Sequence, residues 1–144
     1  DRGGGMITIL FAAALGQAVV PAPSPLGPIG QQSLPAKGCA AYLWNSADRQ
    51  MVAMAVADPA MIRLSVDGRS IDLARSAQDG TVALGFGTAI TYAGAGITAR
   101  LAMTLVPREN LTAGAQVSDG SLQVDRTGRD TIVVPVAGLV GCVS

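Results

Sequence analysis

Histidine is absent from this 144-residue sequence. Its absence removes the commonest general base and the commonest zinc ligand together, so neither a Ser-His-Asp nor a Cys-His mechanism can be assembled from this chain alone. Charge is sparse as well: Asp, Glu, Lys and Arg make up 14% of the residues, and ten basic groups balance ten acidic ones. A neutral surface argues against nucleic acid or anionic membrane as partner, because both are recognised through a concentrated basic face. Lysine occurs once, at Lys37, in a segment that does not read as folded. Aromatic residues are 3% of the chain, and beyond the N-terminal region they are Tyr42, Trp44, Phe86 and Tyr92. No repeat of 20–50 residues is present. No metal, cofactor or catalytic constellation is expected from what remains, and the chain reads as a non-enzyme.

What the sequence does have is apolar residue, at 49%, enough to build one core in a chain of this length. The first part of it reads as an address. From Met6 the run Met-Ile-Thr-Ile-Leu-Phe-Ala-Ala-Ala-Leu-Gly-Gln-Ala has an apolar centre, Ile7 to Leu15, followed by small residues at Gly16 and Ala18. That is the pattern of a signal peptide over 6–18, too short to span a bilayer and followed at once by prolines. Asp1–Gly5 can be encoded by codons containing AGGAGG, so these residues read as a translated ribosome-binding site upstream of a start at Met6. The abundance of Ala and of Arg over Lys fits a GC-rich bacterial genome, and the expected location is periplasmic or extracellular. After cleavage the chain is not expected to be an integral membrane protein. Residues 19–38 hold five prolines without a period of 2 or 3.6 and read as a Pro/Gly-rich tether. The β domain is expected over 39–144.

Two cysteines in an exported chain imply a disulfide between Cys39 and Cys142. They bracket the folded region, and the pairing is expected to tie the first strand to the last.

Between them the pattern has period 2. Ile62, Leu64 and Val66 alternate with Arg63 and Ser65, Asp67-Gly68 or Gly68-Arg69 supplies the positive-φ positions of a tight turn, and Ile71 and Leu73 alternate with Ser70 and Asp72. Ala99, Leu101, Met103 and Leu105 repeat the theme against Thr98, Arg100 and Thr104. Asp119-Gly120 separates a strand at Ala115–Ser118 from one at Leu122–Asp125, and Thr127-Gly128 leads into an apolar strand over Thr131–Ala137. Further strands are expected at Cys39–Asn45, Gln50–Ala57, Thr81–Phe86 and Ala89–Tyr92. Ser46–Ala57 could alternatively form a capped helix, with the alternation of Val52, Met54 and Val56 favouring strand. Pro135 inside the last apolar run requires an edge position or a bulge. The fold class is all-β, a small antiparallel β-sandwich or β-barrel of about 8–10 short strands.

Each candidate site has a plainer reading beside it. Tyr42 and Trp44 share one face of the first long strand; they serve as core anchors, or as a solvent-facing pair that stacks on a sugar or a partner peptide. Met51 and Met54 carry thioethers of the kind that hold Cu(I), yet as strand residues three apart they read as core on opposite faces. Asp125–Asp130 places carboxylates around a glycine, but the interleaved arginines oppose a dication and favour a hairpin turn. Asp48, Asp58, Asp72, Asp79 and Glu109 could supply paired carboxylates for glycoside hydrolysis; most read as solvated turn residues. Asn110-Leu111-Thr112 has the pattern of a glycosylation sequon.

Over Ile62–Leu105 the short strands and Asp-Gly turns, with the end-to-end disulfide, resemble the small β-barrel family of periplasmic lysozyme inhibitors. The family's Ser-Gly-Ala-Arg-Tyr-type loop is not present at Ser76–Leu84. The resemblance implies an inhibitor of a hydrolase. The residues themselves favour a non-catalytic binding or accessory module that docks onto an envelope protein or glycan. A self-associating surface component is the remaining alternative, with the oligomeric state left open.

Overall fold

The computed structural model of the protein describes residues 25–108 and 114–143. The leader 1–18, Glu109 and the sequon lie outside the described residues. Nine strands follow one another: β1 (Leu26–Gly27), β2 (Gly38–Asn45), β3 (Met51–Ala57), β4 (Ala60–Val66), β5 (Arg69–Asp79), β6 (Ala89–Gly94), β7 (Ile97–Pro107), β8 (Ala115–Arg126) and β9 (Ile132–Val143). Each strand from β2 to β9 pairs antiparallel with the next, and β9 returns to pair with β2. Eight strands therefore close into an up-and-down barrel with no free edge along β2 to β9. Ser46–Ala57 resolves as a turn followed by strand, not a helix.

The period-2 pattern sets the polarity of the wall. Leu43, Ile62, Leu64, Leu73, Ile90, Leu101, Leu122 and Val124 point inward and are at most 2% exposed. Eight strands leave an interior just wide enough for side chains to fill. Outside, β4, β5, β7 and β8 present Arg63, Asp72, Arg100, Gln123 and Asp125. A barrel facing lipid has the opposite sense, apolar outward. Among the described residues no helix is long and apolar enough to cross a membrane.

The two ends differ. At the upper end sit the β2–β3 loop, the β4–β5 turn at Asp67-Gly68, the β6–β7 turn at Ala95-Gly96 and the β8–β9 loop. The lower end is plugged by the β5–β6 loop, where Ala83 and Phe86 exchange backbone hydrogen bonds of 2.8 and 2.9 Å. Leu84 and Gly85 take positive φ between them, which turns the chain and sends Phe86 into the core at 2% exposure. Thr81–Phe86 is thus a plug and not the strand expected there.

Cys39 and Cys142 are bonded, and they stand opposite each other in the β2–β9 register. The disulfide clamps the seam at which the barrel closes. It joins the last strand to the first strand of the barrel, which is the second among the described residues, because β1 precedes it. A disulfide suggests a non-reducing, extracytoplasmic setting.

The segment expected as a tether is part of the fold from residue 25 onward. Leu26 and Gly27 pair with Val66 and Ser65 of β4, beyond the point where β3 pairing ends. Leu26 is 5% exposed and belongs to the core cluster. The chain then crosses the outer wall as a strap: Ile29 N–H donates to the Met51 carbonyl at 2.9 Å. Arg63 donates to the Gln32 side-chain oxygen at 2.8 Å, and the Tyr42 hydroxyl donates to the Ser33 carbonyl at 3.1 Å.

Asp119-Gly120 does not separate two strands. β8 runs through it as a bulge, between the pairs Val117–Gly138 and Gly120–Val136. Pro135 lies one residue beyond the last β2–β9 pair, Asn45–Val136, and beside this bulge. Its missing N–H falls where β2 has already ended, and its carbonyl accepts from Ser46 N–H at 2.9 Å. A proline is accommodated there without an edge strand.

Candidate binding face on β2 and β9

Tyr42 and Trp44 alternate with Ala41 and Leu43, and it is the latter pair that enters the core at 0% exposure. The two aromatics therefore lie on the outer wall, half-buried. Neither is among the core residues, so the reading of them as core anchors is corrected. The large anchors inside are aliphatic side chains with Phe86 and Tyr92.

The register builds a continuous outer row around them. Leu139 of β9 stands opposite Tyr42, Tyr42 opposite Met54, Met54 opposite Arg63, and Arg63 opposite Asp72. Trp44 stands opposite Ala137 on one side and Met51 on the other. A bulge between Leu43 and Trp44 leaves Val52 as the extra residue of β3, which brings Met51 to the same face as Met54. The expectation of opposite faces fails for that reason. Met54 lies under the strap and is 6% exposed.

Only part of this wall is covered. The strap lies over Met54, while β9 presents Val133, Pro135, Ala137 and Leu139 outward in alternation. Val133 is 59% and Leu139 47% exposed, and Leu34 of the strap is 56% exposed nearby, with Cδ2 close to Gly141. At the upper end of the row Trp44, Asn45, Ser46, Arg49 and Ala137 line an open depression of about 460 Å³. Asn45 is fixed there by its own loop: its side-chain oxygen accepts from Ala47 N–H at 2.9 Å, and its N–H donates to the Gln50 carbonyl at 2.8 Å. Arg49 takes a φ of 64°, which bends the loop over the strand ends. Burial raises the Tyr42 hydroxyl above the ordinary phenol range, so it remains a neutral donor to the strap.

The remaining candidates are dispersed. Asp48 belongs to the β2–β3 loop at the upper end, where its side chain accepts from Gln50 N–H at 3.0 Å. Asp58 and Asp79 sit at the lower end, and Asp72 is on the outer wall, paired with Arg63 at 2.8 Å. Asp48 and Asp72 thus lie apart from each other and from the lower-end pair Asp58 and Asp79. Asp125 is held by Thr131 at 2.6 Å, Gln123 at 3.0 Å and Arg100 at 3.0 Å, and these bonds keep its carboxyl below the usual range, the Thr131 bond most of all. Its oxygens are engaged in bracing the hairpin. Among the described residues no three His, Cys, Asp or Glu side chains gather in a group able to hold a metal ion.

The sequence pairs Tyr42 with Trp44 but does not reveal Leu139 as the neighbour of Tyr42, nor Val133 as a member of the same β9 row. The signal was the alternation Val133, Pro135, Ala137, Leu139, four apolar residues at spacing 2 in a strand whose intervening residues are apolar too. Comparison with protein-family models, with curated proteins and with solved structures finds no match for this chain.

Proposed function

We propose that this protein is an exported bacterial binding module, located in the periplasm or outside the cell, that docks a neutral polypeptide segment on the outer face of β2 and β9. The observation that carries the reading is the Trp44 depression continuing into the exposed apolar row of β9. Tryptophan, tyrosine and arginine are the side chains most often found to anchor interfaces, and Trp44, Tyr42 and Arg49 occur together here. Apolar surface rimmed by polar groups is the usual mark of a protein contact. The strap supports the choice of occupant. An extended, proline-rich stretch of this same chain already lies on the adjacent part of the wall, held by backbone and side-chain hydrogen bonds. A partner segment in the same extended form meets the same chemistry next to it. Export is supported by the disulfide and by the leader pattern of residues 6–18.

The test places a photo-crosslinking residue at Leu139, and as a control at Thr104 on β7, in cells exporting the protein. The expected result is a discrete polypeptide adduct from position 139 that is lost in Trp44→Ala and is absent from position 104. Equal adducts from both positions, or none, overturn the proposal. A Trp44-dependent signal on a glycan array without a polypeptide adduct replaces the polypeptide with a sugar. Loss of lysozyme activity upon addition of the protein, abolished by Trp44→Ala, identifies the partner as a hydrolase.

A further inference from the structure

The upper end of the barrel holds an open cavity of about 400 Å³, bounded by the β4–β5 turn, the β6–β7 turn and the β8–β9 loop. Arg126 forms part of its wall and is out of place for its position. The alternation of β8 puts Leu122 and Val124 inside the barrel, and Arg126 follows them on the inward face, opposite Ile97 of β7. Its side chain is only 10% exposed. Nη1 donates to Asp67 Oδ2 at 2.8 Å, but Nε is buried and has no acceptor. A buried cationic donor is costly unless every N–H is met, and Nε, closed to solvent in this conformation, gains an acceptor only when the Arg126 side chain shifts toward the cavity.

Arg69 and Arg129, both exposed, line the same cavity. Three guanidinium groups thus face one carboxylate, Asp67, and Asp67 is already engaged by Arg126. Two positive charges remain over. We infer that the mouth of the barrel binds a phosphate group, with Arg126 as the buried anchor and Arg69 and Arg129 as clamps at the rim. A dianionic oxyanion matches the excess charge, and its oxygens accept in the planar fork geometry that guanidinium offers. Ile71 and Ile97 give the cavity an apolar wall against which a small organic substituent on the phosphate can rest. The inference is independent of the proposed docking face, which lies on the outer wall.

The test is a titration of the ¹⁵N-labelled full chain with inorganic phosphate, and in parallel with glycerol phosphate, at pH 7.5 and ionic strength held constant with sodium chloride. Saturable shifts are expected at residues 66–71, 95–97 and 126–129, together with movement of the Arg126 Nε–H resonance. The double variant Arg69→Gln/Arg129→Gln leaves the barrel interior untouched and is expected to weaken the affinity at least tenfold. Tighter binding of glycerol phosphate points to a phosphomonoester, and equal or weaker binding to the free ion. Shifts that fail to saturate, that persist unweakened in the double variant, or that leave the Arg126 Nε–H unmoved overturn the inference.

Discussion

Cys39 and Cys142 face each other across the seam between β2 and β9, with Cα atoms 4.0 Å apart and a separation of 103 positions in sequence. Direct opposition in the antiparallel register is what brings the two Cα atoms so close. The bond closes in sequence the same loop that the barrel closes in space. Its main effect is on the unfolded chain, where closing a loop of ~100 residues removes entropy equivalent to about 4.7 kcal/mol at most. The seam also carries eight register pairs from Gly38–Val143 to Asn45–Val136, so the barrel does not depend on the disulfide for its topology. The double variant Cys39→Ser/Cys142→Ser is expected to keep the far-ultraviolet dichroism of the native protein and to lose about 2–5 kcal/mol in urea denaturation. An unchanged midpoint contradicts the clamp.

Leu26 decides whether the proline-rich segment belongs to the domain. It is 5% exposed, in the core cluster, on a strand of two residues that completes β4 where β3 falls short. Replacing it with alanine removes buried methyl groups and leaves a cavity at the barrel's upper end. The expected cost of Leu26→Ala is about 2–4 kcal/mol by chemical denaturation. A substitution at Leu34, exposed on the strap, is expected to change stability by less than about 0.5 kcal/mol. Equal effects at the two positions contradict the strap.

Local features were legible in the sequence and distant ones were not. The alternation Ile62, Leu64, Val66 and the turn at Asp67-Gly68 depend on neighbours only, and both turn residues take the positive φ expected of them, 51° and 79°. Closure into a barrel depends on β9 meeting β2, a pairing of residues about a hundred positions apart that leaves no local trace. Asp119-Gly120 misled because a bulge inside β8 uses the same residue types as a turn. Tyr42 and Trp44 could be assigned a common face by parity, but not which face, since Ala40, Ala41 and Leu43 are apolar on both sides. Leu26, Ile29 and Leu34 stand among prolines at irregular spacing and carry no period, so the burial of Leu26 was invisible.

The acid and alkaline limits of stability follow from the few groups that the fold perturbs. The Asp72 carboxyl is held below its usual range chiefly by the hydrogen bond from Arg63, and the Asp125 carboxyl chiefly by that from Thr131. A depressed carboxylate stabilises the fold above its unfolded pKa of roughly 4, and the contribution disappears as pH falls through the folded value. Tyr92 acts in the opposite direction: burial raises its phenol, so stability is full below the unfolded pKa of roughly 10 and is lost as pH rises beyond it. No histidine titrates between these limits. The melting temperature is expected to be flat from about pH 5 to 9 and to fall on both sides. Asp72→Asn is expected to shrink the acid fall and leave the alkaline one unchanged. A step in melting temperature between pH 6 and 7.5 contradicts this assignment.

Gly138 is the residue that lets β9 close on β2 beneath the candidate binding face. A Cβ there would stand 1.8 Å from the Tyr42 carbonyl oxygen and 3.0 Å from its carbon. Both are backbone atoms in the seam and cannot yield without parting the strands. The same Cβ would come within 3.2 Å of Cε3 of Trp44, so the indole rests over the seam because position 138 has no side chain. Gly138→Ala is therefore expected to destabilise by about 3 kcal/mol or more. Gly141, three residues further along β9, provides the comparison. There the nearest atom is Leu34 Cδ2 at 3.1 Å, the end of a flexible side chain on the strap. That contact can move, and Gly141→Ala is expected to cost less than about 1 kcal/mol. Urea denaturation of the two variants separates the cases: a large loss at 138 with a small one at 141 locates the constraint in the backbone of the seam, and equal losses place it elsewhere.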